Sequence, residues 1–174
     1  MATSGTIKGQ AKAKGSLTSN YTFWVEWKRN GSYSIENNTS NITVSLKIKC
    51  TAYYNGAFNL ETKPSVSLSV NGVAQTPTTS FLDTRNYVEC TFATWTGDVT
   101  HDDDGSLACP ISASFTHYGS NSLDAGTASG NANLDTIPRA STITSVSDVT
   151  LGNNCSVKWT PKSETFRYKL NFAI

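Results

Sequence analysis

Charge is scarce in this chain. Asp and Glu total 13 of 174 residues, Lys and Arg 14, and the formal net charge is +1. Charged residues make up 16%, below the roughly one quarter of an ordinary soluble domain. That balance excludes the strong field of one sign by which nucleic-acid or membrane-surface binders are recognised. No apolar run approaches the ~18 residues that would cross a bilayer as a helix. Residues 1–15 hold no apolar stretch of the kind a secretory signal needs. Histidine occurs only at His101 and His117, so no His-x-x-x-His metal pair exists. A Gly-rich phosphate loop and a Ser-His-Asp context are also missing. The glutamates Glu26, Glu36, Glu61 and Glu89 are scattered, and no two acids announce a glycosidase pair. The expectation is therefore a protein that is not an enzyme. It needs no cofactor, binds no nucleic acid and inserts in no membrane.

Period-2 alternation is what the chain has instead. Ile42, Val44, Leu46, Ile48 and Cys50 fall on one side of a segment whose other side is Asn41, Thr43, Ser45, Lys47 and Lys49. Successive strand side chains point to opposite faces, so one face is buried and the other polar. Tyr21, Phe23, Val25 and Trp27 repeat the pattern, as do Val66, Leu68 and Val70. So do Val88, Cys90 and Phe92, and then Leu107, Cys109, Ile111, Ala113 and Phe115. Asn71-Gly72 between two such runs is a hairpin signal. A turn at His101-Asp102-Asp103-Asp104-Gly105-Ser106 predicts a second hairpin before Leu107. Thr6 to Lys14 reads as a weak first strand and Ala125 to Leu134 as a late one. With no helical periodicity, the fold class is all-β: an antiparallel β-sandwich or jelly roll. Ile42, Val44, Leu46, Ile48, Phe23, Trp27 and Phe115 are its expected core.

The pattern predicts three regions. Residues 1–135 form the sandwich. Residues 136–144, containing Pro138, form a linker, because Pro lacks a ladder donor and keeps Ile137 extended. Residues 145–174 carry alternation at Val157 and Trp159 and again at Phe166, Tyr168, Leu170 and Phe172. They read as the first strands of an immunoglobulin-like module, which ordinarily needs about seven strands. The module is expected to be truncated at residue 174, or covered by a neighbour.

Three groups of side chains are candidates for chemistry. Cys50, Cys90 and Cys109 share the apolar phase, and Cys155 lies apart. Packed free thiols, a bridge involving Cys50 or Cys90, and a reactive thiol served by His101 or His117 are the readings open. Asp102 and Asp104 flank a tight turn. They are weak calcium candidates, with Asp83 or Asp98 as further ligands, because calcium wants six to eight convergent oxygens. Trp24 is out of phase with Phe23 and Val25 and shares the polar face with Thr22, Glu26 and Lys28. An outward indole beside a carboxylate suits saccharide, whose apolar face stacks while its hydroxyls are hydrogen-bonded. Tyr53, Tyr54 and Tyr118, with Tyr33, lie in or beside predicted loops and join the candidate ligand set. The alternative is that Trp24 packs on another layer or subunit.

The run Leu134-Asp135-Thr136-Ile137-Pro138-Arg139-Ala140-Ser141 carries a more specific signal. It is followed by Val149-Thr150-Leu151-Gly152, Val157-Lys158-Trp159-Thr160-Pro161 and Phe166-Arg167-Tyr168-Lys169-Leu170. This resembles a family of minor structural proteins from long-tailed phages and prophages of Gram-positive bacteria, a family of unknown function. Gly5-Thr6-Ile7-Lys8-Gly9, Val25-Glu26-Trp27 and the turn His101-x-x-Asp104-Gly105-Ser106 fit the same family. The resemblance implies a virion protein of the tail tip, baseplate or fibre, made in the host cytoplasm without a signal peptide and released by lysis. It implies other tail proteins as partners, a homo-oligomer such as a trimer, and further modules after residue 174. It supplies no catalytic residues.

Overall fold

A computed structural model of the chain describes residues 3–13, 20–51, 63–82, 89–117, 123–138, 142–147 and 156–160. The elements are β1 (Ser4–Ala13), β2 (Tyr21–Arg29), β3 (Thr39–Cys50), β4 (Ser65–Val70), β5 (Val73–Gln75) and β6 (Thr78–Thr79). They continue with β7 (Cys90–Thr100), β8 (Leu107–Thr116), β9 (Leu123–Leu134), β10 (Thr142–Val146) and β11 (Val157–Thr160). The first nine make one strongly curled antiparallel sheet in the order β5-β4-β8-β9-β1-β2-β3-β7-β6. The all-β antiparallel class read from the alternation is the observed one.

β1 is the pivot of the curl. Its first half, Ser4 to Lys8, pairs with β2, and its second half, Gly9 to Ala13, pairs with β9. One strand thus feeds both halves of the sheet, which face each other across the core. Phe23 of β2 meets Phe115 of β8 at a centroid distance of 5.1 Å, and Phe92 of β7 meets Phe115 at 5.0 Å, both near edge-to-face. Rings in that arrangement gain beyond their area burial. All seven expected core residues are buried, each such large side chain stabilising the fold by roughly 1.5–3 kcal/mol.

Several inward positions of β1 and β9 are glycine, and neighbouring side chains fill the space over them. A Cβ on Gly5 would sit 2.7 Å from Trp27 Nε1, and one on Gly9 would sit 2.5 Å from Phe23 Cδ1. A Cβ on Gly126 would enter the ring of Phe115, its cross-strand partner. The rings therefore lie flat over strand backbone that offers no side chain of its own. Turn glycines follow a different rule. Asn71 and Gly72 both have positive φ (52° and 76°), the paired left-handed conformation of the two-residue hairpin predicted there.

Three local readings need correction. β7 runs from Cys90 to Thr100, later than the Thr84–Thr94 span the pattern suggests, of which residues 83–88 lie outside the described chain. Its register on β3 shifts where Leu46 faces Ala93 and Lys47 faces Thr91. This bulge at Phe92 puts both Phe92 and Ala93 inside and passes the buried phase to Val99. An extra residue in one strand does that. Second, the turn at 101–106 does not close a hairpin. β7 lies beside β3 and β6 while β8 lies beside β4 and β9, so the turn carries the chain between the two halves. Third, β10 starts at Thr142, inside the span read as linker, where Thr142, Ile143 and Thr144 have the β-branched side chains that strands favour. Among the described residues β10 pairs only with β11. Phe166, Tyr168, Leu170 and Phe172 lie outside the described residues.

Candidate functional site

The solvent face of β1, β2 and β3 is built row by row from the register. Lys8, Trp24 and Lys47 stand in one row, Thr6, Glu26 and Ser45 in the next, and Ser4, Lys28 and Thr43 in the third. Trp24 is on the outward face as its phase predicts, but half-buried. Its Nε1 donates to Glu26 Oε1 at 3.0 Å. Glu26 Oε2 lies 2.7 Å from Lys47 Nζ, which also bonds Glu89. The Lys47 and Trp24 donors hold the Glu26 carboxyl below its ordinary pKa, against a smaller opposing effect of burial. The bonds from Glu26 and Glu89 hold the Lys47 ammonium above its own.

Beside this cluster runs a groove of about 400 Å³. Ser4, Thr6, Glu26, Lys28, Asn30, Thr43, Ser45 and Lys47 are among its walls. A polar ladder stiffens its far end. Asn30 Nδ2 donates to Asn41 Oδ1 at 2.9 Å and to Thr43 Oγ1 at 2.8 Å. Thr43 Oγ1 bonds Thr96 Oγ1 at 2.9 Å, and Asn41 Nδ2 donates to Asp98 Oδ1 at 2.6 Å. Amide and hydroxyl groups dominate this ladder, so the face can both give and accept hydrogen bonds.

The other candidates do not gather here. Tyr53, Tyr54 and Tyr118 lie outside the described residues. Tyr33 sits at the far end of β2, its ring 5.7 Å from the Arg29 guanidinium, and Arg29 pairs with Asp135 at 3.0 Å. Five residues of strand, roughly 17 Å, separate Arg29 from Trp24. Asp104 Oδ1 accepts from the Ser106 backbone N–H at 2.9 Å and the Ser106 hydroxyl at 2.7 Å, which closes the turn. Asp102 and Asp103 are exposed, and Asp98 is bonded to Asn41 on the sheet face. No group of three His, Cys, Asp or Glu converges among the described residues.

His101 is buried under that turn. Its Nδ1 lies 2.8 Å from the Gly105 carbonyl, which can only accept, so Nδ1 carries the proton. Nε2 and Ser40 Oγ are hydrogen-bonded at 2.8 Å. Ser40 is itself buried, so this serine–histidine pair is closed to any substrate. The Gly105 carbonyl also accepts from the Ile137 N–H at 2.8 Å, and Ile137 is fully buried. The start of the span read as linker is thus held against the 101–106 turn. Cys50, Cys90 and Cys109 are buried thiols. Burial pushes the Cys109 thiol up to about 11, which leaves it protonated and unreactive at neutral pH. Cys155 lies outside the described residues.

Sequence reasoning missed Lys47, Glu89 and Asn30 as members of this face. Each is outward by phase, but only the register of β3 on β2 and β7 places them beside Glu26. No curated protein and no solved structure matches the chain. A family model does match residues 20–174, which include the junction at 134–141 and every strand of the face except β1. The chain belongs to that family, described as siphovirus protein of unknown function (DUF859).

Proposed function

We propose that this phage protein is a structural component of the siphovirus virion, in the tail tip, baseplate or fibre, and that its β1–β2–β3 face binds host cell-surface saccharide. The observation that carries the saccharide reading is Trp24: an indole on a solvent-facing strand position, its edge fixed by Glu26 beside a polar groove. A fixed ring loses little freedom when a pyranose stacks on it. Such a shallow site is weak by itself. Several copies in one symmetric appendage, a trimer for instance, raise avidity by on the order of 10²–10⁴. A connector that binds no ligand is the second reading. It is favoured by the half-burial of Trp24 and by its internal bond to Glu26, which satisfy the indole as a structural tryptophan would be.

The two readings separate on one variant. Trp24→Ala is expected to lose retention on host cell walls while its thermal midpoint stays within a few degrees of the parent. Equal retention by variant and parent would remove the saccharide role and leave the connector.

A further inference from the structure

We infer that the groove between β1, β2 and β3 binds an uncharged, polyhydroxylated ligand, a hexose or N-acetylhexosamine unit of a neutral glycan. Asn30, Ser45 and Thr6 would be its contact residues, with Trp24 held beside them by the Glu26 wall. The inference rests on the saccharide reading above and narrows it to one chemical class.

Charge is the first argument. The ionised side chains that line the groove are Glu26, Lys28 and Lys47, and Glu89 bonds Lys47 from outside the lining. Lys47 is held between two carboxylates, 2.7 Å from the nearer Glu26 oxygen. A phosphate or carboxylate ligand at Lys47 would meet both carboxylates as like charges. The Lys47 side of the groove is thus unfavourable for anions because of its own ion pairs.

Hydrogen-bonding capacity is the second. Asn30 spends both amide protons on Asn41 and Thr43, which leaves Oδ1 as the atom that accepts from outside. Lys47 has three protons and two carboxylate partners, so one proton remains to donate. Ser4, Thr6 and Ser45 add hydroxyls that act either way. Such single donors and acceptors match sugar hydroxyls and an acetamido group, each of which also gives and accepts singly. The volume, about 400 Å³, lies within the range of roughly 300–1,000 Å³ found for small-ligand sites.

Position is the third. Glu26 joins the two parts of the site. One oxygen takes the Trp24 indole and the other takes Lys47, so the indole and the groove wall share one anchor. A ligand that stacks on Trp24 has its edge groups at the groove.

The test uses the full chain and nuclear magnetic resonance. Methyl β-glucopyranoside and N-acetylglucosamine are the neutral probes, glucuronate and glycerol phosphate the anionic ones. The neutral probes are expected to shift the Trp24 indole N–H and the Asn30 side-chain amide together. Ser45→Arg, which fills the groove from an outward position, is expected to weaken this at least about tenfold. Thr6→Arg on the opposite wall checks the result should the first variant fold poorly. Binding of the anionic probes alone would overturn the inference and leave the saccharide reading standing. Binding that is lost in Trp24→Ala but unchanged in both Arg variants would overturn the groove as the site. Binding of none of the four probes would sink the inference, and the cell-wall assay on Trp24→Ala then decides the wider reading separately.

Discussion

β2–β3 and β1–β9 are neighbouring ribbons of one sheet, and they build the core from opposite materials. The inward side chains of β2 and β3 include Phe23, Val25, Trp27, Ile42, Val44, Leu46 and Ile48, all buried. Those of β1 and β9 include Gly5, Gly9, Ala13, Gly126, Ala128, Gly130 and Ala132, with Ile7, Leu123 and Leu134 as their large members. Rings from the first ribbon and from β8 lie on the bare backbone of the second. Close packing needs the summed volume to fit the space between layers, and here one ribbon supplies the volume while the other gives way. Small inward residues where β1 passes from one half to the other let the sheet curl without a gap.

Removing a ring tests the comparison most severely. Phe115→Ala takes away the side chain that contacts both Phe23 and Phe92 and uncovers Gly126. A loss of about 3–5 kcal/mol in urea unfolding is expected, enough to unfold a marginal domain. A loss under 1 kcal/mol would mean that the three-ring cluster is not what joins the halves.

Filling the other ribbon should cost less. Gly126→Ala places a methyl in the Phe115 ring position, and overpacking of this kind costs about 1–3 kcal/mol. The sharper form is the pair Gly126→Ala with Phe115→Leu. If the two ribbons share one volume, the smaller side chain makes room for the methyl, and the double variant is more stable than the sum of the single losses predicts. Strict additivity would show that the glycine is there for a reason other than the ring.

The same contrast explains which parts of the fold were legible in the sequence. β3 announces itself because every inward residue is large and apolar and every outward one is polar. The Asn71-Gly72 hairpin is legible because its φ angles restrict which residues fit. β1 and β9 read as weak because glycine and alanine carry little hydrophobic signal, yet they form the centre of the nine strands. Their inward positions are apolar through the neighbours' rings, which no local window contains. The bulge at Phe92 hides for a related reason: an extra residue breaks the period that is being counted. At the candidate site, the phase of Trp24 and Glu26 was enough to put both on the outer face. The link from Glu26 to Lys47, and Lys47's bond to Glu89 across 42 residues of sequence, needed the pairing of strands. The immunoglobulin-like strands expected at 166–172 lie outside the described residues.

The outer faces of the sheet differ as the inner ones do, and this gives the smallest effect. Outward positions of β8 and β9 such as Ser112, Thr116, Thr127, Ser129, Asn131 and Asn133 are uncharged, whereas β2 and β3 carry Glu26 and Lys47, joined into a triad by Glu89 just before β7. The Glu26 carboxyl is held below its ordinary value of 4.5 by Lys47 and Trp24. Its contribution to stability is therefore fully present above pH 4.5 and is lost as the pH falls through the lowered folded value. Lys47 runs the other way: held above 10.5, it stabilises below that pH and ceases to as the pH rises through its raised value. The Glu26 and Glu89 side chains are 41% and 45% exposed, so solvent screens the triad and its contribution stays under about 1 kcal/mol. Glu26→Gln keeps an acceptor for the Trp24 indole and removes only the charge. It is expected to melt up to about 3 °C below the parent at pH 7. The gap should narrow as the pH falls below 4.5 through the lowered folded value and shrink in 1 M salt. A gap that persists unchanged to pH 2 would assign the loss to packing around the carboxyl, and the charge contrast between the two outer faces would then have no energetic content.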